Sequence, residues 1–196
     1  MKYLIVVDMQ VDFITGSLGS SLATAIVPNV VQKVQGFDGQ VIFTRDTHFA
    51  DYLHTQEGRK LPVPHCIKDT AGWQICEELL PYAQTVVDKV TFGSTELPQL
   101  LLSYGQPIDS IELCGLCTDI CVISNAMILK AAFPEAAIAV DAACCAGVTE
   151  ESHQTALNAM RSVQIEIREE PQCAIREPGN RSRMVYFYKV FSRETS

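Results

Sequence analysis

Short apolar runs that alternate with helical patterns, several of them ending at a charged residue, constrain this chain most. Tyr3–Val7 is β-rich and stops at Asp8. Val41–Thr44 runs into Arg45-Asp46, Thr85–Val87 into Asp88-Lys89, Ser110–Cys114 into Gly115, and Ala136–Val140 into Asp141. Val163–Ile167 reads as a sixth strand. Between them, Leu22–Val34, Glu77–Tyr82, Leu97–Tyr104, Asp119–Phe133 (stopped by Pro134) and Glu150–Ser162 carry helical spacing. Strands that are continuously apolar are buried on both faces, and intervening helices supply the cover. The pattern predicts an α/β fold, a doubly wound, parallel six-stranded sheet with helices on both faces and right-handed crossovers.

This Rossmann-like layout fits one domain. At roughly 150 residues per domain, 196 residues give a domain over 1–168 and an extension over 169–196. Pro171, Pro178 and Gly179 break the extension, yet Met184–Tyr188 is β-prone, which fits an added strand, an interface segment or a disordered tail. Fifteen Lys and Arg against 23 Asp and Glu leave a net charge of −8. That balance argues against nucleic acid as a partner, which needs basic groups on its phosphates, and against anionic membrane surfaces. No apolar run reaches the ~18 residues of a span. The N-terminal run is too short for a signal peptide, and no small-residue cleavage site follows it. The eight cysteines are therefore read as reduced thiols in a cytoplasmic protein.

In parallel sheets the chemistry sits at the carboxyl ends of the strands. Cys114-Gly115-Leu116-Cys117-Thr118-Asp119-Ile120-Cys121 joins the fourth strand to a helix, which places Cys121 near a helix start. Free amides and the positive dipole end there favour a thiolate nucleophile and could hold an oxyanion; a small buried apolar cysteine is the plain alternative. Asp8 and Lys89 close neighbouring strands, where a carboxylate can relay the thiol proton and an ammonium can stabilise both anions, or the two can form a structural ion pair. Asp46 and His48 share a face, and His65 arrives on a long aperiodic connection, making a three-ligand set with open positions. Glu57 on the same loop could add a ligand or hold a water. His54 reads as a solvated loop residue and His153 as structural, as do Cys66, Cys76, Cys144, Cys145 and Cys173.

Taken together, Val7-Asp8-Met9-Gln10-Val11-Asp12-Phe13, Arg45-Asp46-Thr47-His48, Leu61-Pro62-Val63-Pro64-His65-Cys66, Asp88-Lys89 and Gly115–Val122 resemble the isochorismatase-like cysteine hydrolase superfamily, from about Lys2 to Ile167, and within it the nicotinamidases. The resemblance implies Cys121 as nucleophile, Asp8 as general base and acid, and Lys89 as third catalytic member. It implies an oxyanion hole from the amides of Cys117 and Cys121, with a cis peptide between Leu116 and Cys117. Asp46, His48 and His65 become ligands of one divalent ion, zinc before iron or manganese, with Glu57 as a fourth position found in some nicotinamidases. Phe13 becomes a pocket aromatic stacking on the substrate ring, assisted by Trp73. The ligand set favours nicotinamidase over isochorismatases, which resemble the chain at Asp8, Lys89 and Cys121 but lack it. The implied reaction converts nicotinamide to nicotinic acid and ammonia through a thioester, a step of NAD salvage. Another small amide is the alternative substrate. The family also implies a homo-oligomer. Two departures stand out: the Asp46–His65 loop is short and lacks a tryptophan often seen after the first histidine, and the tail has no counterpart. Two other readings stay open. Cys114 and Cys117 form a C-x-x-C pair, although Cys114 closes a strand whereas a redox pair opens a helix with its first cysteine exposed. A non-catalytic binding module on the same fold is the other.

Overall fold

The structure, a computed structural model, describes residues 1–168. Six strands, β1 (Lys2–Val7), β2 (Gln40–Asp46), β3 (Val86–Lys89), β4 (Ser110–Leu116), β5 (Ala137–Ala146) and β6 (Glu166–Arg168), form one sheet. The strand order is β3-β2-β1-β4-β5-β6 and every pairing is parallel. The chain winds outward from β1 to β3, crosses back, and winds outward again from β4 to β6. Its direction therefore reverses between β1 and β4, the crevice where such sheets place their ligands. Tyr3–Val7 and Ile111–Leu116 are buried throughout, as continuously apolar central strands must be.

The helices are α1 (Val11–Ile14), α2 (Ser21–Gly36), α3 (Gln56–Lys60), α4 (Glu96–Ser103), α5 (Ile123–Ala132) and α6 (Glu150–Ser162). Ser20 caps α2 by accepting from the Ala23 amide at 3.0 Å. Ala23, Ile26, Val27, Val30 and Val34 bury a single stripe of that helix, set by the 3.6-residue period, and α2 packs on β4 and β5. On α6 a capping box between Thr149 and Ser152 satisfies the first amides. Helix α5 packs against both α4 and α6.

The fold class agrees with the expectation, and the local differences have causes. Glu77–Tyr82 is no helix; only a 3₁₀ turn forms, over Leu80–Tyr82, where Pro81 lacks the amide a longer helix needs. The helix expected over Asp119–Phe133 opens instead with a π-helical turn, Thr118–Val122, before α5 begins. Strand β5 does not stop at Asp141 but runs to Ala146, because that carboxylate is buried in an ion pair with Lys33 of α2. Strand β6 starts late, since Val163 and Gln164, the latter at φ 67°, close α6. The expectation of a strand or interface segment near Tyr186 lies outside the described residues.

Candidate active site

The course of the backbone brings the thiol to the first acid. Gly115 has φ 115°, and a Cβ there would lie 2.1 Å from the Val7 carbonyl oxygen. Only glycine permits so close an approach of β4 to the end of β1. Asp8 itself leaves β1 at φ 47°, and the Leu116–Cys117 peptide is cis. The π-helical turn then carries Cys121 over the sheet.

Asp8, Lys89 and Cys121 meet as a buried cluster. Lys89 Nζ lies 2.6 Å from Asp8 Oδ2, 3.1 Å from Asp46 Oδ1 and 3.5 Å from Cys121 Sγ, and it donates to the Thr91 carbonyl at 3.1 Å. Thr44 Oγ1 donates to Asp8 Oδ1 at 2.7 Å. Burial pushes the Asp8 carboxyl up, and the Asp46 charge adds to this, against the pull of Lys89. Burial alone would favour a neutral Lys89, but the charges of Asp8, Cys121 and Asp46 outweigh it and hold the ammonium protonated. Burial and then the Asp8 charge push the Cys121 thiol well above its ordinary value. The helix start was expected to lower it. In the resting site burial and the neighbouring carboxylates prevail over Lys89, so the thiol keeps its proton beside a carboxylate able to take it.

A second cluster shares Asp46. His48 Nε2 is 2.8 Å from Asp46 Oδ2 and 3.5 Å from Glu57 Oε1; His65 Nε2 is 3.6 Å and 3.7 Å from the same two oxygens. All four donor atoms fall within 4.8 Å of one another. Two ligands on one tetrahedral ion at zinc–ligand lengths stand about 3.4 Å apart, so the spacing suits a divalent cation. Two further observations agree. His48 Nε2 is buried, and the groups it faces are the Asp46 and Glu57 carboxylates. His65 Nδ1 bonds the Val63 carbonyl at 2.8 Å, which turns its Nε2 lone pair toward the cluster. Burial would keep His48 neutral, but Asp46 and Glu57 outweigh it and push its pKa up to about 9. Glu57 reaches the cluster from α3, which the apparently aperiodic loop contains. His54 is exposed and stands apart.

The cavity above the two clusters is lined by Phe13, Leu18, Leu61, Phe92, Ile120 and Cys117, together with Asp46, Glu57, His65 and Cys121. Phe13 lies 5.6 Å from the His65 ring, centroid to centroid. Trp73 departs from its expected place: it does not line the cavity. Its indole N–H donates to Thr47 Oγ1 at 2.8 Å, and the Arg45 guanidinium covers its face at 3.3 Å. It is a buried brace for the strand end, and that cation–π contact satisfies the aromatic face.

Several residues escaped the sequence reading. Gln10 Oε1 accepts from the Asp46 amide at 2.7 Å, while its Nε2 donates to the Asp46 and Trp73 carbonyls at 2.8 and 2.9 Å. Asn125 Nδ2 bonds the Cys121 and Phe92 carbonyls at 2.8 and 3.2 Å. Tyr52 packs 4.7 Å from the His48 ring and 5.1 Å from that of His65. Gln10 lies two residues after Asp8, inside a segment that carries the family resemblance, which is a usable signal; Thr44, Asn125 and Tyr52 carry none.

A thiol, carboxylate and ammonium gathered at the switch point of a doubly wound sheet, beside a two-histidine, two-carboxylate cluster, define the class as an α/β protein with an enzyme-type site. The chain belongs to the isochorismatase family, whose domain model matches residues 2–170. A Bacillus subtilis (strain 168) relative, described as an uncharacterized isochorismatase family protein PncA, is 31% identical over 144 residues, which is 64% of this chain and 76% of that one. The crystal structure of nicotinamidase/pyrazinamidase PncA from Bacillus subtilis superposes with a TM-score of 0.76 and 30% identity, covering 86% of this chain and 99% of that one. The pyrazinamidase of Pyrococcus horikoshii in complex with zinc gives 0.73 and 26%, with the same coverage.

Proposed function

We propose that the chain hydrolyses nicotinamide to nicotinic acid and ammonia by way of a thioester on Cys121. One observation carries the reading: Asp46 turns one oxygen to Lys89 of the thiol cluster and the other to the histidine cluster, so both centres face one small apolar cavity. Nicotinamide matches that pairing, having a carboxamide for the thiol and a ring nitrogen for a cation. The nicotinamidase and pyrazinamidase relatives support it.

Asp46, His48, His65 and Glu57 would hold one divalent cation, with zinc the first choice, and when bound it supplies Lewis acidity and a fixed anchor for a ring nitrogen. Phe13 and the apolar wall orient the ring and exclude water. Asp8 takes the Cys121 proton as Sγ attacks the carboxamide carbon. The amides of Cys117 and Cys121 receive the oxyanion. As the tetrahedral species collapses, the C–N bond breaks and Asp8 returns the proton to the departing ammonia. Asp8 then deprotonates a water that adds to the thioester carbon, and nicotinic acid leaves as Cys121 regains its proton. Lys89 favours the anionic form of Asp8 that each proton uptake requires.

Ammonia release from nicotinamide tests the reading on wild type, on Cys121→Ala and on chelator-stripped protein. Turnover by the first and failure of the other two supports it. Inactive wild type, even with zinc, iron or manganese restored, overturns it. A second reading, hydrolysis of another small amide, rests on the short Asp46–His65 loop, which places the aliphatic Leu61 in the cavity wall.

The hydrolase domain is assigned to 1–168 and an extension to 169–196, in a cytoplasmic homo-oligomer. Among the described residues no helix is long and apolar enough to cross a membrane. Solution mass with and without residues 171–196 tests the extension as an oligomer contact; an unchanged assembly removes that idea.

A further inference from the structure

We infer that His153, read from the sequence as structural only, is a positioning residue for the thiol turn and acts through Thr118. The inference rests on the thioester reading for its catalytic consequence. His153 Nδ1 and Thr118 Oγ1 lie 2.7 Å apart, a buried side-chain hydrogen bond between α6 and the π-helical turn. Thr118 is fully buried, and His153 nearly so. Thr118 immediately follows Cys117 and stands three residues before Cys121, so its hydroxyl is tied to the backbone that presents both the thiol and the two oxyanion amides.

The anchor behind this bond is rigid. The His153 amide bonds the Thr149 carbonyl at 3.0 Å, inside the capping box that fixes the start of α6. Gly147 approaches so closely that a Cβ there would lie 2.9 Å from His153 Cβ. The next residue of the turn is tied to the same region, since Asp119 Oδ1 accepts from the Val148 amide at 3.0 Å. Two successive residues of the thiol turn are thereby fastened to the β5–α6 corner. An apolar pair would fill the space between Thr118 and His153 without leaving polar atoms to satisfy. A directional bond there restricts rotation of the turn, which packing alone does not. Misplacement of reacting groups by about 1 Å can cost on the order of 100-fold in rate, so a small rotation of this turn is enough to matter.

The test is a double-mutant cycle on Thr118→Val and His153→Leu, both of which remove the bond with little change of volume. We measure kcat and KM for nicotinamide, zinc affinity by chelator competition, Tm, and the rate at which iodoacetamide alkylates Cys121, followed by peptide mass. In that probe reaction the Sγ–C bond forms, iodide leaves and the thiol proton passes to Asp8. The expected result is a loss of about 10-fold or more in kcat and a slower alkylation in each single variant. KM and zinc affinity should hold within about twofold, and the double variant should be no worse than either single one. Thr118→Ser, which keeps the hydroxyl, and His153→Asn, whose amide reaches the Nδ1 position, should restore most of both rates. If the single variants keep kcat and alkylation near wild type while Tm falls, or if their effects multiply, the inference is overturned. Should Thr118→Val fail to fold, His153→Asn against His153→Leu makes the same contrast. Should wild type not act on nicotinamide, that reading fails by itself, and the alkylation rates still decide this one.

Discussion

The sheet buries two sets of charges, and they differ in balance. On the α2 face, Lys33 of α2 pairs with Glu112 of β4 and Asp141 of β5, and Arg168 of β6 pairs with the same Glu112. Two cations meet the two buried carboxylates, the exposed Glu166 also pairs with Arg168 at 3.1 Å, and no nucleophile lies among the ion-paired groups. At the carboxyl ends of β1, β2 and β3, Asp8, Asp46 and Glu57 face one ammonium, Lys89, and two histidines. With both imidazoles neutral, as cation ligation requires, that set has a surplus of two negative charges; without a cation the protonated His48, its pKa raised to about 9, offsets one of them. A buried charge surplus is costly, and one divalent cation removes it. Burial of charge therefore does not mark a site here; incomplete pairing does. The cavities beside Lys33 fall on the balanced set, and the small apolar one by Cys121 falls on the other.

The sharpest way to break this contrast is to remove Cys121, the proposed nucleophile, from the unbalanced set. Cys121→Ala should lower turnover by about 10⁴-fold or more with Tm near wild type, since a small buried apolar group is retained. Comparable turnover in the variant would leave the unbalanced set without a chemical purpose. The balanced set should show the reverse. Lys33→Met leaves Glu112 and Asp141 short of a partner and should destabilise the fold by about 3–5 kcal/mol, read by urea denaturation, with kcat unchanged. Burial opposes the charge of Lys33, but hydrogen bonds and charge from Asp141 and Glu112 outweigh it and raise its pKa above 10.5. A cation whose folded pKa is raised contributes stability that is complete below the unfolded value and is lost as pH rises through the folded one. The gap between wild type and Lys33→Met should thus be flat through neutral pH and close only above about pH 10.5. A gap that closed near neutrality would show the cluster to be less balanced than its geometry.

The distinction also shows which parts were legible in the sequence. The apolar runs revealed the strands, and for β1 and β4 burial on both faces leaves no alternation to misread. Asp8, Lys89 and Cys121 were legible because strand ends and a strand-to-helix turn are sequence-local. Asp46, His48 and His65 were legible by residue type and by resemblance. Asp141 misled, since an acid after an apolar run reads as a strand end unless its partner is known, and Lys33 lies 108 residues away. Trp73 misled for a related reason: an aromatic on a functional loop reads as pocket wall, and only the Arg45 contact shows what covers it. Thr44 and Asn125 were invisible because their partners, Asp8 and the Ser94 amide, come from elements that no periodicity connects. Glu57 reads from sequence as ligand or water holder, because its helix, five residues long, is too short to leave a periodic trace.

Glu57 is where the unbalanced set can be adjusted rather than broken. Its Oε1 lies within 3.7 Å of both histidine Nε2 atoms, and its side chain is the most exposed of the four donors. Glu57→Gln removes one of the two surplus charges while keeping the shape. Zinc affinity, measured by chelator competition at fixed pH, should fall by about 10–100-fold. Unchanged affinity would show that the carboxylate merely borders the site and that Asp46 and the two histidines suffice.

The smallest expected effect separates neighbours in sequence. Asp88 adjoins Lys89, yet alternation along β3 sends its side chain to the other face. There it pairs with Arg45 at 2.7 Å, and Asp88 is 39% exposed. An ion pair this open is worth about 0.2–1 kcal/mol. Asp88→Asn should therefore shift stability by no more than about 1 kcal/mol and leave kcat and zinc affinity unaltered. The one route to a larger effect runs through Arg45, whose guanidinium also covers Trp73; Trp73 holds Thr47 and accepts from Gln10, which in turn clamps the Asp46 backbone. If Asp88→Asn lowered zinc affinity, that relay would be carrying strain from the rim into the ligand set, and the boundary between paired surface charge and unbalanced site would have to be drawn one layer further out.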